Sequence, residues 1–165
     1  MNYVLGEEEF RRCFSFSLVK NLWDRMASRY FFERADNEPT AAEKKQRGTT
    51  RKFHNLDFDS WVRRERQRHR RGRGVQCQLN KLLDLKGRVL VDYVGRLESI
   101  QDALDYICQK IDGPRRTMPH VNGTRMGHYS HIYSASTRAM VEEICQIDID
   151  YFGYSFEEHP RPESL

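Results

Sequence analysis

Lys20, Arg25 and Ser28 are the residues from which chemistry can first be argued. They lie in VKNLWDRMASRY, residues 19–30, where an apolar alternating run gives way to helical spacing. A helix opens with N–H groups that lack intrahelical acceptors and with the positive end of its dipole, so its N-terminus favours an anion. Lys20, at the end of the preceding strand, adds a point charge. Ser28 adds a hydroxyl from within the helix, and Arg25 reaches either the same anion or a nearby carboxylate. The competing reading leaves Lys20 and Arg25 solvated and Ser28 as a small packing residue.

Three further groups of residues invite the same question. Asp92, Arg96 and Glu98 surround the end of a second strand, where Arg96 either contacts an anion or pairs with one of the two carboxylates. His120, His128 and His131 share a polar segment with Arg125, Tyr129 and Tyr133. A histidine of this segment is a candidate base, and His128 stands three residues from His131. No Cys or acidic residue has matching spacing, so no metal is expected. The four cysteines, Cys13, Cys77, Cys108 and Cys145, form no CxxC pair and are read as structural thiols.

The charge is concentrated. Residues 63–73, RRERQRHRRGR, hold seven Arg and one Glu, a local charge of +6 in a chain of net charge +4, so the rest of the chain sums to −2. A nucleic-acid footprint spreads over a face or groove, and no aromatic interleaves this run for base stacking. The run is expected to be a solvated loop first, a patch for an anionic glycan acceptor second, and a nucleic-acid contact third.

Behind these residues stand 165 positions, enough for one domain of ordinary size, with 38% hydrophobic, 12% aromatic and 32% charged residues and a mean hydropathy of −0.82. Aromatics at that level argue against a disordered chain. The longest apolar runs span a few residues, far short of the roughly 20 needed to cross a bilayer. MNYVLGEEEFRRC carries three Glu where a secretion signal needs a basic start, so a cytoplasmic protein is expected.

Two strand-then-helix units position the candidates. FSFSLVK (14–20) alternates as a strand does, and Trp23, Met26, Ala27, Tyr30 and Phe31 then fall on one helical face. RVLVDYV (88–94) reads as a strand covered on both faces. It is followed from Glu98 by a helix with Ile100, Leu104, Ile107, Cys108 and Ile111 on one side, stopped at Gly113-Pro114. Residues 35–52 and 63–74 read as loops or insertions, 157–165 as a tail, and a last helix starts near Ser136. Such alternation predicts an α/β fold with a parallel sheet, whose ligands lie beyond the carboxyl ends of the strands.

Three blocks then carry a resemblance. FSLVKNLWDRMASRYFF, VLVDYVGRLESIQDALDYIC and MPHVNGTRMGHYSHIYSASTRAMVEEICQIDIDYFGYSF occur in that order between residues 14 and 156. The first is similar to the 3′-phosphate-binding segment of the sulfotransferases, approximately F-x-F-V-R-N-P-W-D-R-x-x-S-x-Y. The second resembles their VDxxGRxE strand–helix segment, and the third their C-terminal stretch, above all in the carbohydrate-type members with many bacterial relatives. The resemblance implies a P-loop-like three-layer fold with a central parallel sheet, and 3′-phosphoadenosine 5′-phosphosulfate (PAPS) as sulfuryl donor to a carbohydrate hydroxyl. It also implies no metal. On it, Lys20 and Ser28 hold the 3′-phosphate with Arg25 beside them. Thr124 and Arg125 contact the donor from a loop that closes over the nucleotide, and Arg96 and His128 lie near the acceptor cleft.

The chain departs from the pattern at Lys20, where the family has Arg, which exchanges a planar bidentate fork for a single ammonium. Leu22 stands where the family has Pro. MNYVLGEEEFRRC holds no Lys-Gly-Ser/Thr loop of the kind that cradles the 5′-phosphosulfate, and the family's first strand is not found there, so the sheet is expected to be incomplete at its N-terminal side. Two readings therefore stand: an active sulfotransferase, and a truncated or degenerate relative that binds nucleotide or a polyanion without catalysis. Some relatives are Golgi-membrane proteins, and neither the acceptor nor the oligomeric state is legible.

Overall fold

The computed structural model describes residue 8 and residues 12–35, 56–118 and 127–157. The chain divides into two compact units. Unit 1 takes residues 1–20 and 78–121, and unit 2 takes residues 21–77 and 122–165. The expected loop 35–52, apart from Ala35 at the end of a helix, and the tail, apart from Glu157, lie outside the described residues.

Unit 1 holds the sheet. Strand β1 (Phe16–Val19) pairs in parallel with β2 (Tyr93–Arg96), from Phe16 opposite Tyr93 to Val19 opposite Arg96. A side-chain clamp sets this register. Asp92 Oδ2 accepts from the Ser15 backbone N–H at 2.8 Å and from its hydroxyl at 2.7 Å, while the Asp92 N–H donates to Ser15 O at 2.9 Å. Helix α1 (Leu22–Ala35) follows β1 in sequence and belongs to unit 2.

The second strand forms later in the chain than its composition suggests. Arg88–Asp92 lies outside the sheet, because the turn at Lys86-Gly87 folds it back on its own approach. Val89 bridges Leu83 in antiparallel fashion, the Leu90 N–H donates to Leu82 O, and the Asp84 N–H donates to Arg88 O. Leu90 is 51% exposed, so the run is not covered on both faces. Among the described residues the sheet has two strands, and the architecture is mixed α/β.

A short 3-10 turn (Leu97–Ser99) leads from β2 into a helix at Ile100–Lys110, with Ala103, Ile107 and Cys108 buried. That helix lies so close to β2 that Gly95 has no room for a side chain. A Cβ there would stand 2.8 Å from Ala103 Cβ and 2.9 Å from Leu18 Cδ2. The helix ends as the Gly113-Pro114 pair predicts, and Arg115 closes back on Asp105 at 2.6 Å.

Unit 2 is helical. The α1 face foreseen from spacing is buried at Trp23, Met26, Ala27 and Tyr30, and Leu22 joins it. The next helix, α2, runs Phe58–Arg70, capped by Asp57, whose side chain accepts from the Ser60 N–H at 2.7 Å. Numbering the unit 1 helix α3, the chain then forms α4 (Ala135–Ile144) and α5 (Gln146–Phe152), the latter not foreseen from sequence. Ser134 and Thr137 cap α4 reciprocally, and both hydroxyls also donate to Asp59 in the first turn of α2. One carboxylate thus ties the starts of two helices. Tyr30, Phe58, Trp61 and Tyr133 pack edge-on or stacked between them.

The expectation of a loop over 63–74 is corrected as far as Arg70, since α2 continues through the arginine run. Helix formation there costs little, because Arg is a good helix former and the run contains neither Gly nor Pro before Gly72. None of the described helices is long and apolar enough to cross a membrane. Gly95→Ala is expected to destabilise unit 1 by about 1–3 kcal/mol through overpacking against Ala103 and Leu18, read as a lower midpoint in urea unfolding.

Candidate functional site

Lys20 stands at the carboxyl end of β1 in unit 1. Its N–H donates to Gln78 Oε1 at 3.0 Å and its carbonyl accepts from Gln78 Nε2 at 2.8 Å, so its backbone is held by one amide. The β1–β2 register sets Val19 opposite Arg96, which is exposed at the end of β2. Lys20 and Arg96 therefore belong to the same edge of a parallel sheet, beyond the strand ends. Asp92 is committed to Ser15 one strand-length away, and Arg96 and Glu98 are both exposed.

In unit 2 the start of α1 carries its own cap. Asn21 Oδ1 accepts from the Trp23 N–H at 3.1 Å and the Asp24 N–H at 3.4 Å, and Asn21 Nδ2 donates to Ser155 O at 3.0 Å. The first-turn donors that an anion would use are thus partly satisfied by a side chain. Ser28 Oγ donates to Asp24 Oδ1 at 3.3 Å, and Arg25 Nη1 donates to Gln76 O at 3.0 Å. A phosphate at this helix would have to draw Ser28 away from a carboxylate.

His128 caps a 3-10 turn (Tyr129–Ile132). Its Nδ1 lies 2.9 Å from Ser130 Oγ and accepts from the Ser130 N–H at 3.4 Å. His131 is exposed, with its ring 6.4 Å from that of His128. Tyr133 donates to Trp23 O at 2.8 Å, and burial pushes its phenol well above the ordinary range. Thr124, Arg125 and His120 lie outside the described residues.

Sequence reasoning misjudged the arginine run most. Glu65, in its middle, is fully buried at 0% exposure. Its Oε1 accepts from Arg64 at 2.9 Å and Arg68 at 3.2 Å, and Arg29 from α1 stands 3.9 Å from Oε2. Glu33 of α1 extends the network, accepting from Arg29 Nε at 2.9 Å and Trp61 Nε1 at 2.8 Å, with Arg64 at 3.5 Å. Further along, Arg66 and Arg70 both pair with Glu143 of α4, the latter at 2.7 Å. Four of the seven arginines in the run, Arg64, Arg66, Arg68 and Arg70, have carboxylate partners within unit 2. The signal was present in the sequence as Glu65 itself, the one acid in the run, since a lone carboxylate among arginines invites burial as a counter-charge.

A second feature that spacing hid is a cluster of Cys77, Cys145 and Asp148, all buried, whose ligand-capable atoms lie within 4.8 Å of one another. The cysteines are free thiols. These three are the group among the described residues whose donor atoms converge as metal ligands do, and they share no residue with the strand-end candidates.

Comparison of the chain with protein-family models, with curated proteins and with solved structures finds no match. Function here rests on residues and geometry.

Two tests follow from the charge network. Glu65→Ala should cost about 1–3 kcal/mol by removing the charged hydrogen bonds that its buried carboxylate accepts from Arg64 and Arg68, while Arg71→Ala, on an exposed residue, should stay within about 0.5 kcal/mol of the parent. Equal small losses in urea unfolding would show that the run is solvated after all. Burial alone would raise the Glu33 carboxyl, but hydrogen bonds from Trp61 and Arg29 and the charges of Arg29 and Arg64 outweigh it and hold the carboxyl below its ordinary range. A depressed carboxyl stabilises the fold above its unfolded value, and that contribution is lost as pH falls through the folded one. Stability followed by Trp fluorescence should therefore drop on acidification below the ordinary glutamate range, and the drop should be shallower in Glu33→Gln.

Proposed function

We propose that this chain is a sulfotransferase-like protein that binds the 3′-phosphoadenosine moiety of PAPS and transfers its sulfuryl group to a carbohydrate hydroxyl, on a P-loop-like α/β scaffold. The observation that carries the reading is the parallel β1–β2 pair. It sets Lys20 and Arg96, two cations, after and at the ends of neighbouring parallel strands, where ligands of such sheets bind. Each strand is followed by a helix in the order that the sequence resemblance requires.

In this reading Lys20 and Ser28 hold the 3′-phosphate, with Arg25 supporting the same segment and Thr124 and Arg125 completing the donor site. Arg96 and His128 serve the acceptor side. The acceptor oxygen attacks sulfur in line, a new S–O bond forms, the bond to the bridging phosphate oxygen breaks, and the nucleotide leaves as the bisphosphate. A base must take the acceptor's proton, and cations must neutralise the charge that gathers on the leaving oxygen. An ammonium at Lys20 contributes charge with less directional control than a guanidinium. An anionic glycan is the acceptor class favoured by the exposed Arg71 and Arg73, although the ion pairs of the neighbouring arginines leave a smaller basic surface than the count of Arg implies.

Calorimetric titration with 3′-phosphoadenosine 5′-phosphate tests the reading. The parent chain should bind. Lys20→Ala should weaken binding by about 10-fold or more, as expected for a charged hydrogen bond, and Ser28→Ala by a smaller factor. A folded parent that does not bind overturns the proposal, and binding without sulfuryl transfer to any glycan hydroxyl identifies the non-catalytic form of the same scaffold.

A further inference from the structure

Cys77 and Cys145 are buried nucleophiles that the proposed reaction does not use. Cys77 is 3% exposed and Cys145 0%, and their sulfurs lie 3.0 Å apart. Their place in the chain matters as much as the distance. Unit 2 is assembled from two segments, 21–77 and 122–165, and Cys77 is the last residue of the first. Cys145, 68 positions later, follows the end of α4 in the second. The covalent path between the two segments runs out through all of 78–121, so within unit 2 only non-covalent packing joins them where the thiols meet.

Two chemistries suit a pair of buried thiols. Two thiolates bound to one zinc at about 2.3 Å in tetrahedral geometry hold their sulfurs about 3.8 Å apart, so a metal requires this pair to separate. A disulfide requires the sulfurs to close to about 2.05 Å, a movement on the scale of a side-chain torsion. At 3.0 Å the sulfurs are already nearer than that metal geometry allows. Among the described residues the converging donor set holds three members, with Asp148 as the third. We propose that Cys77 and Cys145 are a disulfide-forming pair whose oxidation fastens the two segments of unit 2 to each other.

The reaction balances with a small-molecule disulfide such as oxidised glutathione as oxidant. The Cys77 thiolate attacks one sulfur of the oxidant, whose S–S bond breaks and releases one thiolate. The Cys145 thiolate then attacks the Cys77 sulfur of the mixed disulfide, forming the protein bond and expelling the second thiolate. The two protein thiols give up two electrons and two protons, and the oxidant becomes two thiols. The hydrogen bond between the sulfurs favours Cys77 as the attacking group, lowering its thiol. The same bond, burial and the neighbouring charges of Cys77 and Asp148 hold Cys145 up. Because both sulfurs are buried, the exchange proceeds during folding or on transient opening. In a reducing compartment the pair remains a dithiol, so the bond reports the redox state of its surroundings.

The test uses the full chain, reduced, unfolded and refolded across a series of reduced-to-oxidised glutathione ratios, then alkylated and mapped by peptide mass spectrometry. The expected result is a linked pair of peptides containing Cys77 and Cys145, a chain lighter by two hydrogens, and the loss of alkylation at those two positions alone. The oxidised form should unfold at higher urea than the reduced form, and Cys13→Ser with Cys108→Ala should keep that difference. Predominant links through Cys13 or Cys108, or free alkylation of Cys77 and Cys145 at every ratio, overturn the proposal. So does protection of both thiols by added Zn2+ in a refolded chain that never forms the link, which assigns the cluster to a metal instead. Mapping the parent chain keeps the result independent of whether any cysteine variant folds.

Discussion

The carboxylate of Glu65 is the charge around which unit 2 is arranged. Moving a carboxylate out of water costs several kcal/mol unless the partners around it repay that cost, so the groups facing Glu65 have little freedom. Arg64 and Arg68 come from its own helix, and Arg29 comes from α1. Glu33 then shares Arg29 and Arg64 and receives the indole N–H of Trp61, which binds the charge network to the aromatic core. The chain leaving α2 is constrained as well. At Gly74 a Cβ would collide with His69 N and would lie 2.7 Å from Glu65 O, so only a glycine lets the backbone cross so close to the helix. Two helices and the turn beyond them are thereby set by one buried acid.

Much of the local structure was legible from periodicity. The face of α1 was found because its apolar residues recur at helical spacing and most of them are buried, whereas of the face read for α3 only Ile107 and Cys108 are buried and Ile111 is 57% exposed. The second strand was placed too early, because RVLV has the composition of a buried strand while its backbone is claimed by a hairpin closed at Lys86-Gly87. Propensity describes what a segment can pair as, and the neighbouring turn decides with what it pairs. The arginine run failed for a different reason. Counting charge assigns every arginine to solvent, whereas helical spacing places Arg66 and Arg70 on one face toward Glu143, and a single acid amid the run is more valuable buried.

The candidate site was legible in part. Lys20 at a strand end and Arg96 at the end of its parallel neighbour were found from strand–helix alternation alone. What alternation does not reveal is competition. The Asn21 cap takes first-turn donors of α1, and Asp24 takes the hydroxyl of Ser28, so any anion at this helix exchanges existing hydrogen bonds for new ones. The cysteine cluster was invisible for a simpler reason: its members lie in two distant parts of the chain, and no spacing rule reaches across 68 positions.

That discontinuity also sets the order in which the molecule can be made. On a ribosome, α1 and α2 are complete and can close over Glu65 while the chain is still growing, since Arg29, Glu33 and the arginines of α2 all precede residue 71. Glu143 follows Arg70 only after 73 further positions. At synthesis rates of about 5–20 residues per second, that is a wait of about 4–15 s. For that interval the nascent chain displays an arginine-rich helix without its later acid, beside a ribosome made of polyanion. The internal carboxylates of the helix pair are what partly mask that charge until the C-terminal helices emerge.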